Sequence, residues 1–478
     1  MSDASRLAQR SLAMGQGPIL ASLVRLAVPT MLAQFMQMAY QLVDTYWLAR
    51  LGASAVAAVS ITFPITMMLV ALGGGVAVAG STFISQYLGR GDQAMVIKTA
   101  AQTLIMTVIA AAITTLVGLA LAAPALTLVG TPADIRHMAL SFLLTSFCGI
   151  GFTFLFAAVQ AVQRGMGDVM LPLAVVTFTV VMNFFLAPLF IFGGGIVPAG
   201  GVVGAAWSTV VCQGLAALVA CGLLFSRRLG VGLPLAAFRP DWRFIRRSVS
   251  IALPASLEQS TAALNFLVLM GLVASFGTLA IATYGIGLRI LSVAMIPAFG
   301  LAMATATLVG QSLGAGDRHR AIRTVIVGVW ISASVLGLVG LTTFVLSDAI
   351  VNIFAPTNPL LALQTDRYIR ITASAYAFLA GNQVFLGALR GSGNTKTSMT
   401  LAMTQSWLLQ LPIAYILSKH TALGITGLWM TTVIKEILIA IVSTIVFLRR
   451  QWLDRIPIAD DTRELEIVAA IPAEEPAM

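Results

Sequence analysis

Long apolar runs alternate with short polar joints along the chain. About 20 apolar residues cross a bilayer as a helix. Cutting at charge clusters and Gly/Pro-rich joints leaves twelve such runs. The first six fall near residues 22–49, 54–87, 96–122, 136–163, 170–192 and 203–225. The second six fall near 246–275, 279–312, 322–346, 366–389, 397–418 and 424–448. The second and eighth are long enough to predict tilt or projection beyond the membrane. Residues 1–21 precede the first lobe (22–225), a basic linker (226–245) joins it to a second lobe (246–450), and residues 451–478 read as a polar, disordered tail.

The two sets of six are copies. Residues 28–92 align with 253–317 without a gap, and 20 of the 65 positions are identical. Pro29, Leu32 and Gln34 meet Pro254, Leu257 and Gln259. Gln86-Tyr87-Leu88-Gly89-Arg90-Gly91-Asp92 meets Gln311-Ser312-Leu313-Gly314-Ala315-Gly316-Asp317. Arg164-Gly165-Met166-Gly167-Asp168 meets Arg390-Gly391-Ser392-Gly393-Asn394, and Gly201-x-x-Gly204 meets Gly424-x-x-Gly427. Four blocks in the same order require internal duplication. Six is even, so both copies enter the membrane from the same side. The fold class is therefore an all-α polytopic membrane protein, with twelve transmembrane helices in two six-helix lobes. A pseudo-two-fold axis along the membrane normal relates the lobes, which suits a cavity between them.

Composition agrees. The 478 residues are 58% hydrophobic and only 10% charged, too apolar for a soluble enzyme, a nucleic-acid binder or a disordered chain. The net charge of +10 resides mainly in one set of loops and in the tails, including the cluster Arg227, Arg228, Arg239, Arg243, Arg246 and Arg247 where the two lobes join. Only Arg50, Arg136, Arg367, Arg370 and Lys419 fall in the opposite loops. The positive-inside rule then places both termini in the cytoplasm of a multi-pass inner-membrane protein. Cys148, Cys212 and Cys221 lie in apolar runs without metal or disulfide spacing, and no removable signal peptide is read.

The duplicated blocks resemble the multidrug and toxic compound extrusion (MATE) family over residues 18–450. The resemblance rests on the Pro29-led first helix ending in Val43-Asp44-Thr45 and on Gly310-Gln311-x-Leu313-Gly314-Ala315-Gly316-Asp317. Leu389-Arg390-Gly391 and the run Gly201 to Trp207 add to it. It implies an antiporter that expels amphipathic, often cationic compounds while H⁺ or Na⁺ runs inward, with no other cofactor. Small molecules and the lipid bilayer are the implied partners, nucleic acid is not, and the chain is expected to act as a monomer.

Charges inside a membrane need a reason. Five lie well within the runs: Asp44, Glu258, Arg289, Lys435 and Glu436. Gln34, Gln37, Gln41 and Asp44 are spaced three, four and three apart, one polar stripe on one helix, with Tyr40 beside it. No basic residue lies deep in another first-lobe helix to neutralise Asp44, which makes it the candidate coupling-ion residue; the alternative is a structural Asp near the outer interface, hydrogen-bonded to backbone or pairing with Arg50. Its repeat equivalent is Leu269, so the halves are not chemically equivalent. By resemblance to the DinF-like branch, Asn183 and Thr209 join Asp44 in a hydrogen-bond network. Ala187 stands where that branch often has a second Asp. Gln34, Gln37, Tyr40, Gln41 and Glu258 are candidate cavity or substrate-binding residues. Glu258 is equally suited to a structural ion-pair network with Arg289, Lys435 and Glu436. Lys435 and Glu436, adjacent on a helix, point about 100° apart and are expected to use different partners. No acidic residue lies between Tyr368 and Leu389, so the sodium-site pattern of the NorM-like branch is not expected. Pro29, Pro64, Pro172, Pro188, Pro254, Pro297 and Pro412 are expected to kink helices. Phe35, Tyr40, Trp47 and Phe154 serve packing or a drug-binding wall.

Two competitors follow. A lipid-linked saccharide flippase would carry extra helices and a strongly cationic cavity. An intramembrane enzyme would need catalytic groups, whereas His137, His319 and His420 sit at segment ends with no His-x-x-x-His pair.

Overall fold

A computed structural model describes residues 17–195, 197–225, 232–354, 358–453 and 457–458. Among these, regular structure is helical apart from one bridge between Gly194 and Val197. The first lobe comprises α1 (Ile19–Ala49), α2 (Ala53–Arg90), α3 (Gln93–Leu128), α4 (Ala133–Gly165), α5 (Met170–Phe192) and α6 (Gly201–Phe225). The second lobe runs through α7 (Trp242–Ala274), α8 (Thr278–Ala294), α9 (Ile296–Gly314) and α10 (Arg318–Val345). It continues with the short α11 (Ser347–Phe354), α12 (Pro359–Ala373), α13 (Tyr376–Gly391), α14 (Thr395–Met403), α15 (Leu411–Lys419) and α16 (Ile425–Leu448). Ten of these helices are long and apolar enough to cross a membrane. The tenth and eleventh spans are each assembled from two pieces, α12–α13 and α14–α15, so twelve crossings remain.

The breaks have local causes. α8 ends at Ala294, capped by Met295 just before Pro297, a residue tolerated in a first turn because no N–H is required there. Between α14 and α15 the backbone widens into a π-helical turn over Thr404–Gln410, followed by Pro412. Such turns recur at functional sites.

The duplicated Gly-Asp blocks are helix stops followed by helix starts. Gly91 and Gly316 adopt φ of +81° and +79°, the left-handed conformation that ends α2 and α9. Asp92 and Asp317 then cap α3 and α10, accepting from Met95 N at 3.0 Å and Arg320 N at 2.8 Å.

The lobes meet at the end that carries the linker. A Cβ on Gly89 would lie 2.0 Å from Gln311 O, and one on Gly314 would lie 1.9 Å from Gln86 O. Gln86 and Gln311 are repeat equivalents, as are Gly89 and Gly314, so the crossing is reciprocal about the pseudo-two-fold axis. Thr82 Oγ1 donates to Arg390 O at 2.8 Å, and Gln86 Nε2 donates to Gly391 O at 3.0 Å. The first turns of α7, with Phe244 and Ile245, pack into the first lobe's core beside Phe83.

The linker is docked over residues 235–241. Gln102 Nε2 donates to Arg239 O at 2.7 Å, Gln102 Oε1 accepts from Asp241 N at 3.1 Å, and Lys98 pairs with Asp241 at 2.6 Å. Arg227 and Arg228 lie outside the described residues. The start of the tail departs from the expected disorder. Trp452 and Leu453 are buried in the second lobe, Asn394 Nδ2 donates to Trp452 O at 2.7 Å, and Ile458 joins the first lobe's core. Two large apolar side chains immediately after α16 account for this.

Candidate coupling-ion and substrate site

Asp44 lies five residues from the end of α1 that is remote from the linker. Its Oδ1 accepts from Asn183 Nδ2 of α5 at 2.6 Å. Asn183 is fully buried, and its own Oδ1 accepts from Ser208 Oγ at 3.4 Å and, weakly, from Cys212 Sγ at 3.8 Å. Ser208 and Cys212 are four apart on α6, so one helix face presents both to Asn183. Thr209, the next residue, lies beside Asp44 and Tyr40. The expected trio of Asp44, Asn183 and Thr209 is therefore brought together. Ser208 and Cys212 were missed; the four-residue spacing beside Thr209 was the available signal.

Asp44 opens onto a cavity of about 350 Å³ enclosed by α1, α2, α4 and α6. Gln37, Tyr40, Gln41 and Thr209 line it, with Thr62 and Thr66 opposite. Thr153 and Gln213, bonded to each other, also face it. Gln34 does not line this cavity: it sits one turn nearer the linker end. Gln37, Gln41 and Asp44 of the polar stripe thus face the interior of the first lobe.

Arg50 does not pair with Asp44. Its guanidinium bonds Tyr46 OH and stacks 4.6 Å from the Tyr46 ring and 5.0 Å from the Trp47 ring. Among the described residues, Asp44 has no ion-pair partner.

The expected second-lobe network splits in three. Glu258, 4% exposed, pairs with Arg390 and accepts from Ser398 Oγ at 2.8 Å. In the sequence Arg390 stands out only as part of the repeated Arg-Gly block. Lys435 and Glu436 contact each other at 3.2 Å, against the expectation of separate partners. The long flexible lysine stem can fold across a neighbour's direction. Each also holds a glutamine of the π turn: Lys435 Nζ donates to Gln410 Oε1 at 3.2 Å, and Gln405 Nε2 donates to Glu436 Oε1 at 3.0 Å. Asn265 and Asn382 extend this chain at 3.0 Å each. The wider π turn brings glutamines five residues apart to the same face. Arg289 is exposed and joins neither group. Glu258 lies apart from the Asp44 cavity.

Two helical lobes with a cavity-facing carboxylate inside one of them fit a membrane transporter. The MatE family model matches residues 29–189 and 254–416, once in each lobe, and the chain belongs to this family of transporters. It is 27% identical over 411 residues to the probable multidrug resistance protein YoeA of Bacillus subtilis, covering 84% of this chain and 88% of that one. It is 26% identical to the probable multidrug resistance protein NorM of Thermotoga maritima, covering 90% and 92%. A relative from Shewanella oneidensis, named an FAD transporter, is also 26% identical, covering 89% and 93%. In fold, it matches a MOP superfamily transporter from Pyrococcus furiosus with a TM-score of 0.87 at 23% identity, covering 93% of this chain and 99% of that one.

Proposed function

We propose that this transporter exports amphipathic, often cationic compounds by antiport against an inward-moving cation, H⁺ in preference to Na⁺, with Asp44 carrying that cation. One observation carries the reading: a carboxylate that meets no ion-pair partner among the described residues faces an intramembrane cavity lined by both polar and apolar side chains. The relatives named as multidrug resistance proteins support the substrate class. The cytoplasmic inner-membrane orientation rests on the charge bias of the loops.

Asn183 argues against a sodium shell at Asp44. It presents its amide NH₂ to Asp44, while its oxygen is turned to Ser208 and Cys212. A donor serves a carboxylate, whereas a sodium shell needs oxygens. Protonation would remove the charge that attracts a cationic substrate, so proton entry would expel it. Alternating access follows if the reciprocal packing at the linker end separates while the far end closes. That packing uses small residues and backbone acceptors, which can part without unpairing charges.

The test uses full-length protein in liposomes loaded with a fluorescent lipophilic cation. A pH gradient and a Na⁺ gradient are imposed separately at matched potential. For one-for-one exchange, each pH unit sustains a roughly tenfold substrate gradient. Asp44→Asn is expected to abolish proton-driven counterflow. Unchanged counterflow in that variant refutes the assignment, and counterflow driven only by Na⁺ refutes proton coupling.

A further inference from the structure

Arg164 and Arg390 stand at equivalent places in the two repeats, and both line one cavity of about 270 Å³ between the lobes. Ser81 and Thr82 of α2, Gln259 of α7 and Thr307 of α9 complete its polar wall. The charge of Arg390 is answered by Glu258. That of Arg164 is not: its Nη1 donates to Gln160 Oε1 at 3.2 Å, and among the described residues it meets no carboxylate. The repeat explains the difference, because the position equivalent to Glu258 is Ala33. Both halves carry the arginine; only one carries its acid.

Two guanidinium groups therefore line the cavity, and the one carboxylate that answers them, Glu258, pairs with Arg390 from outside its wall, leaving a net single positive charge. Enclosing a cation without a counter-charge is expensive, and a guanidinium fork matches the oxygens of a phosphate. The attraction of a helix C-terminus for cations explains a basic residue at the end of α4 or of α13. It does not explain why both line the same polar cavity on the axis relating the lobes.

We propose that this inter-lobe cavity is an anion site that takes a phosphate group, held by Arg164 from the first lobe and by Arg390 and Gln259 from the second. The bound group supplies the counter-charge that position 33 lacks. Because it touches both lobes at their closed end, it holds that end together. The phosphate comes either from inorganic phosphate or from the headgroup of an anionic lipid.

The experiment uses full-length protein in uncharged detergent, titrated calorimetrically with inorganic phosphate. A parallel measurement takes the thermal midpoint in phosphatidylcholine nanodiscs with and without phosphatidylglycerol. Saturable phosphate binding, weakened about tenfold or more in Arg164→Gln and less in Arg164→Lys, is the expected result. No phosphate binding, but a phosphatidylglycerol-dependent rise in midpoint that Arg164→Gln abolishes, assigns the site to a lipid headgroup. No response to either, or a response that survives Arg164→Gln, overturns the proposal. Should Arg164→Gln fail to fold, Glu258→Gln tests the same charge balance with opposite sign. Freeing Arg390 must tighten binding of whichever ligand the wild type takes, and unchanged or weaker binding overturns the site.

Discussion

The pair of Glu258 and Arg390 allows its stabilising role to be separated from any role in coupling. Removing one partner of a fully buried ion pair costs about 3–5 kcal/mol, chiefly because the other charge is stranded. Here Glu258 is 4% exposed and Arg390 is 29% exposed. Arg390→Gln strands the deeper charge, leaving it only the Ser398 hydroxyl, and should cost about 3 kcal/mol. Glu258→Gln strands a guanidinium that partly reaches solvent, which lowers the cost to about 2 kcal/mol. The double variant strands nothing and is expected to lose only about 1–2 kcal/mol, so the two changes should couple by about 3 kcal/mol. Equilibrium unfolding of the four proteins in one detergent measures that coupling. Costs that add within about 0.5 kcal/mol would refute the ion pair as a stabilising element. Proton-driven counterflow is the second readout. The folded double variant should retain it; its loss would move Glu258 into the coupling machinery.

Three further outcomes follow from the packing. Gly89→Leu places a side chain where a Cβ alone would lie 2.0 Å from backbone, and should cost more than the roughly 1–3 kcal/mol typical of overpacking. An unchanged thermal midpoint would contradict the reciprocal crossing. Asp241 accepts from Arg243 N and Phe244 N at 3.1 Å each, so Asp241→Ala should remove about 1 kcal/mol of helix capping at neutral pH. Lys98 beside it holds its carboxyl below the usual carboxylate range. That stabilisation is therefore present above the unfolded value of about 3.9 and lost as pH falls through the lower folded value. A wild-type advantage that grows in acid would refute this sign. Lys435→Met leaves the buried Glu436 facing only Gln405, and should destabilise more than Lys435→Met combined with Glu436→Gln in the same unfolding assay.

Hydropathy and spacing by themselves determined the twelve crossings, the duplication and the polar stripe ending at Asp44. Each depends on neighbours along the chain: a bilayer sets the length of an apolar run, and a three-four spacing sets one face of a helix. Most span ends lay within four residues of the observed helices, with Met170–Phe192 matched at both limits, whereas the third run stopped short of Leu128 and the tenth began after Pro359. The burial of Trp452 and Leu453 was hidden by the polar residues that follow them. Tertiary structure alone decided the partners. Glu258 meets Arg390 across 132 residues, Ser208 and Cys212 meet Asn183, and Lys435 turns onto its own neighbour beside Gln405 and Gln410 of the π turn. Periodicity specifies which way a side chain faces, whereas the group it meets there depends on which helix packs against that face and at what height. A charged side chain in a membrane has strong need of a partner and long reach. Its final contact is therefore chosen by three-dimensional packing, and the order of residues narrows that choice without making it.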